Sequence, residues 1–354
     1  MAQNDPEIAR PSMPSVSATI VNLVSIEVDC PADVLWRYVL EEYRDGRKFS
    51  RNGYVVVPEE FAGYPLGSYR IRRGTGDTIE DNRLCHRTEL DADERRLSML
   101  ADYLSVPGGM AVYATYEVQK AAGGSRFVLT SHSTVEVPDP ALIATYKVQF
   151  EAGLLAYLNE TKTRLEGGYE PSPSQLPEPK DYSSKLPVHA EKVRTTVVNH
   201  ACVTIDRPAA IVWKEILADF TTGRTFAKLG YEIVPFNDPA FPLGAYRMYY
   251  ASADIVDDRI CLITDREEAA MRLGARAEFL SPVANGMLTY AVYQAVPVEN
   301  GCQYKLDCHS TLDHSVARSA TRVEVAQSID ALCRQFDGGL KDAFEKIKER
   351  IEAR

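Results

Sequence analysis

Tyr64-Pro65-Leu66-Gly67-Ser68-Tyr69-Arg70 returns as Phe241-Pro242-Leu243-Gly244-Ala245-Tyr246-Arg247, 177 positions further on (241 − 64). Pro and Gly mark a turn. The alternating residues that follow, Tyr69-Arg70-Ile71-Arg72-Arg73 and Tyr246-Arg247-Met248-Tyr249-Tyr250, read as a strand entered from that turn. The same offset carries Trp36 to Trp213, Gly53-Tyr54 to Gly230-Tyr231, Tyr113 to Tyr290, Tyr116 to Tyr293 and His132-Ser133-Thr134 to His309-Ser310-Thr311. So many matches in one register mean that a whole domain has been duplicated.

The 354 residues are enough for two domains that each bury a core. A net charge of −10 argues against nucleic acid or an anionic membrane surface as partner, since both require a basic face. Seven cysteines without CxxC spacing read as reduced thiols. The first 17 residues are polar, and no later stretch is long and apolar enough to span a bilayer, so a cytoplasmic protein without membrane insertion is expected.

Within the unit, a β-branched strand from Thr19 to Val28 meets Pro31, which starts a helix carrying Val34, Leu35, Tyr38 and Val39 beside Trp36. After the Pro-Leu-Gly turn, short alternating runs separated by Gly, Pro and Asp predict an antiparallel meander. A long amphipathic helix from Asp139 to about Leu165 closes the unit. The expected organisation is a tail over 1–17, a first domain over 18–168, a Pro-rich extended linker over 169–192 and a second domain over 193–354. Matching Phe150 to Phe336 changes the offset to 186, so about nine extra residues lie around His314 to Ser328 in the second unit. They stand near the expected pocket mouth, where a lid could form.

Cys30-Pro31-Ala32-Asp33-Val34-Leu35-Trp36, Arg207-Pro208-Ala209-Ala210-Ile211-Val212-Trp213 and the two Pro-Leu-Gly entries make a pattern that resembles the superfamily of START domains, birch-pollen-type allergens and polyketide cyclases (SRPBCC). The two-unit length also resembles the tandem aromatase/cyclases. The resemblance implies an α+β fold of two helix-grip domains, each a curved antiparallel sheet wrapped around its last helix and enclosing a ligand cavity of roughly 300–1,000 Å³. It implies either cofactor-independent acid/base chemistry on an aromatic or polyketide-like molecule, such as cyclisation or dehydration, or non-catalytic carriage of an apolar ligand.

Strand alternation assigns faces. On the last strand, Ser131 and Ser133 fall inward with Phe127 and Leu129, as do Cys308 and Ser310 in the second copy. His132 and His309 fall on the outer face, as surface or domain-interface residues. Tyr69, Ile71 and Arg73 are expected inward, matched by Tyr246, Met248 and Tyr250. The next strand is expected to turn Leu84, His86 and Thr88 inward, and Tyr116, with its counterpart Tyr293, also faces the cup.

The sharpest candidates are therefore His86 as acid or base, with Arg73 or Tyr69 binding a carbonyl or enolate. Thr88, Tyr116, Ser131, Ser133 and Tyr146 would line the first cavity, and Tyr246, Tyr250, Tyr293, Cys308 and Ser310 the second. The structural alternative makes His86 a neutral core residue bonded to Thr88 or Tyr116, with Arg73 reaching a carboxylate at the sheet edge. Because Tyr250 and Leu262 stand where the first copy has Arg73 and His86, the N-terminal cavity is the expected seat of any chemistry. No metal or cofactor is expected, since Cys308 and His309 alternate across a strand and no phosphate-binding Gly loop opens a helix. The expected partner is a hydrophobic or aromatic small molecule, with a homodimer left open.

Overall fold

The computed structural model describes residues 16–75, 78–169, 187–252, 256–281 and 286–353. In the first copy β1 (Val16–Val28) hands over at Pro31 to α1 (Ala32–Val39), which continues through one π-helical turn, Leu40–Arg44, to the short α2 (Arg47–Arg51). Then come β2 (Val55–Glu59), β3 (Ser68–Thr75), β4 (Thr78–Asp91), β5 (Arg96–Tyr103), β6 (Met110–Ala121) and β7 (Gly124–Val137), closed by α3 (Ile143–Glu166). The second copy repeats the plan. It comprises β8 (Lys192–Ile205), α4 (Ala209–Phe220), α5 (Arg224–Lys228), β9 (Glu232–Phe236), β10 (Ala245–Ala251), β11 (Val256–Glu267), β12 (Arg272–Phe279), β13 (Leu288–Val298), β14 (Gly301–Ser315) and α6 (Arg322–Glu352).

Each copy forms one seven-stranded antiparallel sheet, in the order β1-β7-β6-β5-β4-β3-β2 and β8-β14-β13-β12-β11-β10-β9. The long closing helix lies against the first strand of its sheet in both copies. These are two tandem helix-grip domains, the α+β fold that the resemblance implied. The Pro-Leu-Gly turn enters β3 because Gly67 adopts a φ of +97°, which only glycine takes without strain. Leu35, Trp36, Tyr38, Ile71, Leu97, Phe127 and Leu158 fill the first core. Burying each large apolar side chain contributes about 1.5–3 kcal/mol.

Two local expectations change. The tail was drawn to residue 17, but Val16 and Ser17 continue the ladder opposite Val137 and Glu136, a pairing set by a distant strand. The extra residues around His314 to Ser328 build no lid. They extend β14 to Ser315 and lengthen the closing helix to 31 residues against 24, with Thr321 and Glu324 forming a capping box at its start. The stretches 1–15 and 170–186, which hold most of the expected tail and linker, lie outside the described residues.

The two sheets pack back to back through their outer faces. Tyr113 Oη lies 2.9 Å from Thr311 Oγ1, and Tyr290 Oη lies 2.8 Å from Thr134 Oγ1. Since 113 matches 290 and 134 matches 311, these are one contact seen from both sides, as across a two-fold axis. Gly63 meets the second domain so closely that a Cβ there would sit 1.9 Å from the Arg194 carbonyl oxygen. His132 and His309 do occupy the outer face, but both are buried in this junction. Burial lowers His132 to about 3 and His309 to about 4, so both are neutral. At the junction's edge, His200 bridges Asp307 (2.6 Å) and Glu89 of the first domain (3.0 Å). Burial alone would lower its pKa, but these two carboxylates outweigh it and raise it to about 9.

The stability of this junction is pH-dependent on both sides. The stabilisation from His200 is complete below its unfolded value of about 6.5 and is lost as pH rises through about 9. The neutral His132 and His309 act the other way: below pH about 6.5 the unfolded chain takes up protons that the folded chain refuses, so stability falls toward pH 4. Thermal melts across pH should peak between these limbs. His200→Gln should flatten the alkaline limb and cost about 2 kcal/mol at neutral pH, the usual worth of a charge-assisted hydrogen bond.

Candidate functional site

The first domain encloses a cavity of about 480 Å³ between the sheet, the π-turn, α2 and α3. Its sheet wall follows from register. Tyr69 pairs with Cys85, Cys85 with Ala101, Ala101 with Val112 and Val112 with Ser133, and all five line the cavity. The adjacent row, Ser68-His86-Leu100-Tyr113-His132, belongs to the outer face by the same pairing.

His86 is therefore turned away from the cavity, contrary to expectation. It is 3% exposed, with Nδ1 2.8 Å from Ser68 Oγ and its ring stacked on Tyr64 at 3.8 Å. Burial lowers it to about 4. Leu84, His86 and Thr88 look like an inward-facing set, yet Cys85 opposite Tyr69 is the inward residue, and a bulge between Arg87 and Glu89 shifts the alternation further along. Thr88 does not line the cavity. Arg73 shares the face of Tyr69 but lies beyond the rim, with a half-exposed side chain 3.6 Å from Glu80 and stacked over Tyr54. That is the sheet-edge alternative. Tyr146 packs with Phe150 against Ala18, Ile20 and Val135 instead of lining the cavity.

Tyr69, Tyr116, Ser131 and Ser133 do line it. Tyr69 Oη is committed, donating to the Tyr43 carbonyl at 2.7 Å. In the second domain Tyr293 stacks on Phe220 at 3.9 Å, and Cys308 Sγ lies 3.7 Å from Ser310 Oγ within the core. Tyr246 is buried, whereas Tyr250 is part-exposed against Tyr231.

Three cavity groups emerge that the sequence reading passed over. The π-turn carries Tyr43 into the cavity, where its ring lies 3.9 Å from that of Tyr116. Arg83 projects from β4, held by Asp81 through Nε at 3.0 Å and stacked 4.3 Å over Tyr103. It also donates to Tyr103 Oη at 3.1 Å, which leaves that hydroxyl its own proton to give. Tyr54 Oη completes the set by donating to Asp81 at 2.9 Å. Lys48, on α2, places Nζ 3.2 Å above the Tyr157 ring. Burial, with Arg83 nearby, lowers its pKa to about 7 against the opposing pull of Glu160 and Glu42.

A signal for Arg83 was present. Asp81-Asn82-Arg83-Leu84-Cys85 repeats as Asp257-Asp258-Arg259-Ile260-Cys261, and Arg259 stacks on Phe279 as Arg83 does on Tyr103. Lys48 had none, for its counterpart is Thr225 and its segment reads as a polar loop.

No family model and no curated protein matches the chain. Among solved structures, the di-domain ARO/CYC protein BexL from the BE-7585A biosynthetic pathway is similar at 19% identity over 92% of this chain and 98% of its own, with a TM-score of 0.30. The di-domain ARO/CYC protein StfQ from the steffimycin pathway is similar at 12% identity over 83% and 84%, with a TM-score of 0.29. Ara h 8.0201 matches at 14% identity over 45% of this chain and 99% of its own, with a TM-score of 0.32. Likenesses at these scores carry no inference about chemistry. Among the described residues, no helix is long and apolar enough to cross a membrane.

The cavity is testable without a known substrate. Ala114 lines its sheet wall, and Ala114→Phe should fill the space. Binding of methoxynaphthalene, followed by tyrosine fluorescence, should weaken at least about tenfold, while stability changes by less than about 3 kcal/mol, the upper range for a larger side chain in a core.

Proposed function

We propose that the N-terminal domain is a cofactor-independent cyclase or dehydratase acting on an aromatic or polyketide-like molecule with several carbonyl groups. The observation that carries this reading is the pairing of Arg83 with Tyr103 on the wall of an aromatic-lined cavity. Arg83 is fixed by Asp81 and hands Tyr103 a hydrogen bond, so the Tyr103 proton is set to bind a substrate carbonyl. As that oxygen gains negative charge in enolisation, the donor and the cation behind it stabilise the charge without reorganising.

Tyr43 and Tyr116 offer flat ring faces to an unsaturated chain, and Ser131 and Ser133 offer further hydroxyls. Lys48 supplies a group able to exchange protons near neutral pH, the role first assigned to His86. Both cations approach the Phe49 ring, with Arg83 Cζ 5.8 Å and Lys48 Nζ 5.9 Å from its centroid, so one bound molecule could meet both. A carrier of apolar ligands has no use for an amine set only against aromatic rings in its cup, and burying such a group without a partner is costly.

The test is turnover of a synthetic poly-β-ketone thioester, followed by the absorbance of the aromatic product. Product should form faster with the protein than without it. Arg83→Met should lower kcat/KM by about 10²-fold, the usual loss of an oxyanion-stabilising donor, and Arg259→Met should cost far less. Equal rates with and without protein would overturn the reading.

A further inference from the structure

We propose that Lys48 is an amine nucleophile that forms an imine with a ketone or aldehyde carbonyl of the ligand in the N-terminal cavity. The proposal rests on the reading of that cavity as a carbonyl-binding site.

Placement comes first. Gly46, with φ +71°, sits so near Val56 and Tyr69 that a Cβ would lie 3.1 Å from the one and 3.3 Å from the other. This tight entry starts α2 directly after the π-turn and carries Lys48 inward, onto Tyr157 of the closing helix and 5.4 Å from the Tyr43 ring centroid. The carboxylates nearby are already matched. Both oxygens of Glu42 accept from Arg51, and Glu160 accepts from Arg164 Nε at 3.1 Å. Among the described residues Lys48 has no ion pair or hydrogen bond, only aromatic faces.

The second domain shows the contrast. Thr225 stands at the matching position and donates to Asp219, which also takes Arg224 at 3.0 Å and Arg350. There, among the described residues, Asp219 is paired with two arginines and a hydroxyl stands at the matching position in place of the amine. In the first domain, an amine lowered to about 7 is neutral in a large fraction of molecules at pH 7, whereas an ordinary lysine is neutral in only about one in a thousand or fewer. Only the neutral form has the lone pair that attacks a carbonyl.

The chemistry balances without an oxidant or reductant. The Lys48 nitrogen adds to a carbonyl carbon, and the carbinolamine hydroxyl takes a proton from solvent and leaves as water, giving a protonated imine. Loss of a proton from the neighbouring carbon to water then gives an enamine. That carbon attacks a second carbonyl of the same molecule, forming the ring bond and restoring the protonated imine, while the second carbonyl's π pair becomes a hydroxyl by taking a proton from solvent. Water then hydrolyses the imine, releasing product, the neutral amine and a proton to solvent. The substrate must therefore present a free ketone or aldehyde, with a second carbonyl in ring-closing reach.

Full-length protein is incubated at pH 7 with naphthaldehyde and sodium cyanoborohydride, which reduces an imine to a stable amine. Intact mass and peptide mapping should place one adduct on Lys48, formed at least about tenfold faster than on any other lysine. Lys48→Arg and Lys48→Met should lose it, their folding checked by thermal melting. Binding of methoxynaphthalene, which has no carbonyl, is measured in parallel on the unaltered protein and should be detected. Binding without a Lys48 adduct overturns the imine alone. Adducts spread evenly over the lysines also overturn it, and absence of both binding and adduct overturns the cavity reading as well.

Discussion

The structure depends on one constraint: each curved sheet is covered on both faces over its central strands. The inner face grips the closing helix and, in the first domain, the cavity. The outer face packs on the other domain. A half-solvated antiparallel sheet can leave its outer face polar and wet, but here polar groups on that face must find partners inside the protein. The Tyr113–Thr311 and Tyr290–Thr134 contacts do this in matched pairs. Symmetry is broken beside them. Thr115 meets His309 Nε2 at 3.1 Å, whereas the counterpart of Thr115 is Val292 and, among the described residues, neither ring nitrogen of His132 has a hydrogen-bond partner.

This packing gives the repeated histidines a meaning that their prominence alone did not. They are neutral and buried on the outer faces of the sheets, with His132 on the side of its strand opposite the cavity. Their burial makes acid a solvent for the junction, and the charged His200 at its edge makes alkali another. The back-to-back arrangement also turns the inner face of each sheet away from its twin, so the two inner faces can diverge independently. They have done so at single positions. Both copies keep an Asp-held arginine on the same strand, while the lysine above the closing helix stands opposite a threonine in the second copy. Arg73 and His86 do not line the cavity; among the residues that do, the copies differ at Lys48, matched by Thr225, and at Tyr103, matched by Phe279.

The duplication, the order of the strands and longer helices, the turn into β3 and the helix that closes each unit were legible in the sequence, whereas the π-turn and α2 were not. They rest on local chemistry: Pro and Gly fix turns, Pro31 and Pro208 start helices, and apolar spacing marks the closing helices. The 177-residue register between copies did the rest. Faces were legible where one side of a strand was distinctly apolar, as for Tyr69, Tyr116, Ser131 and Ser133. They failed on β4, because alternation separates inside from outside only when one side meets water. With both faces of the strand buried, His86 among Leu84 and Thr88 gave no hint of its side, and the pairing of Cys85 with Tyr69 decided it. Tertiary structure alone brought Lys48 over Tyr157, 109 positions away (157 − 48), and matched its neighbouring carboxylates to arginines. A side chain's partners, and so its charge and reactivity, are set by what the rest of the chain folds against it.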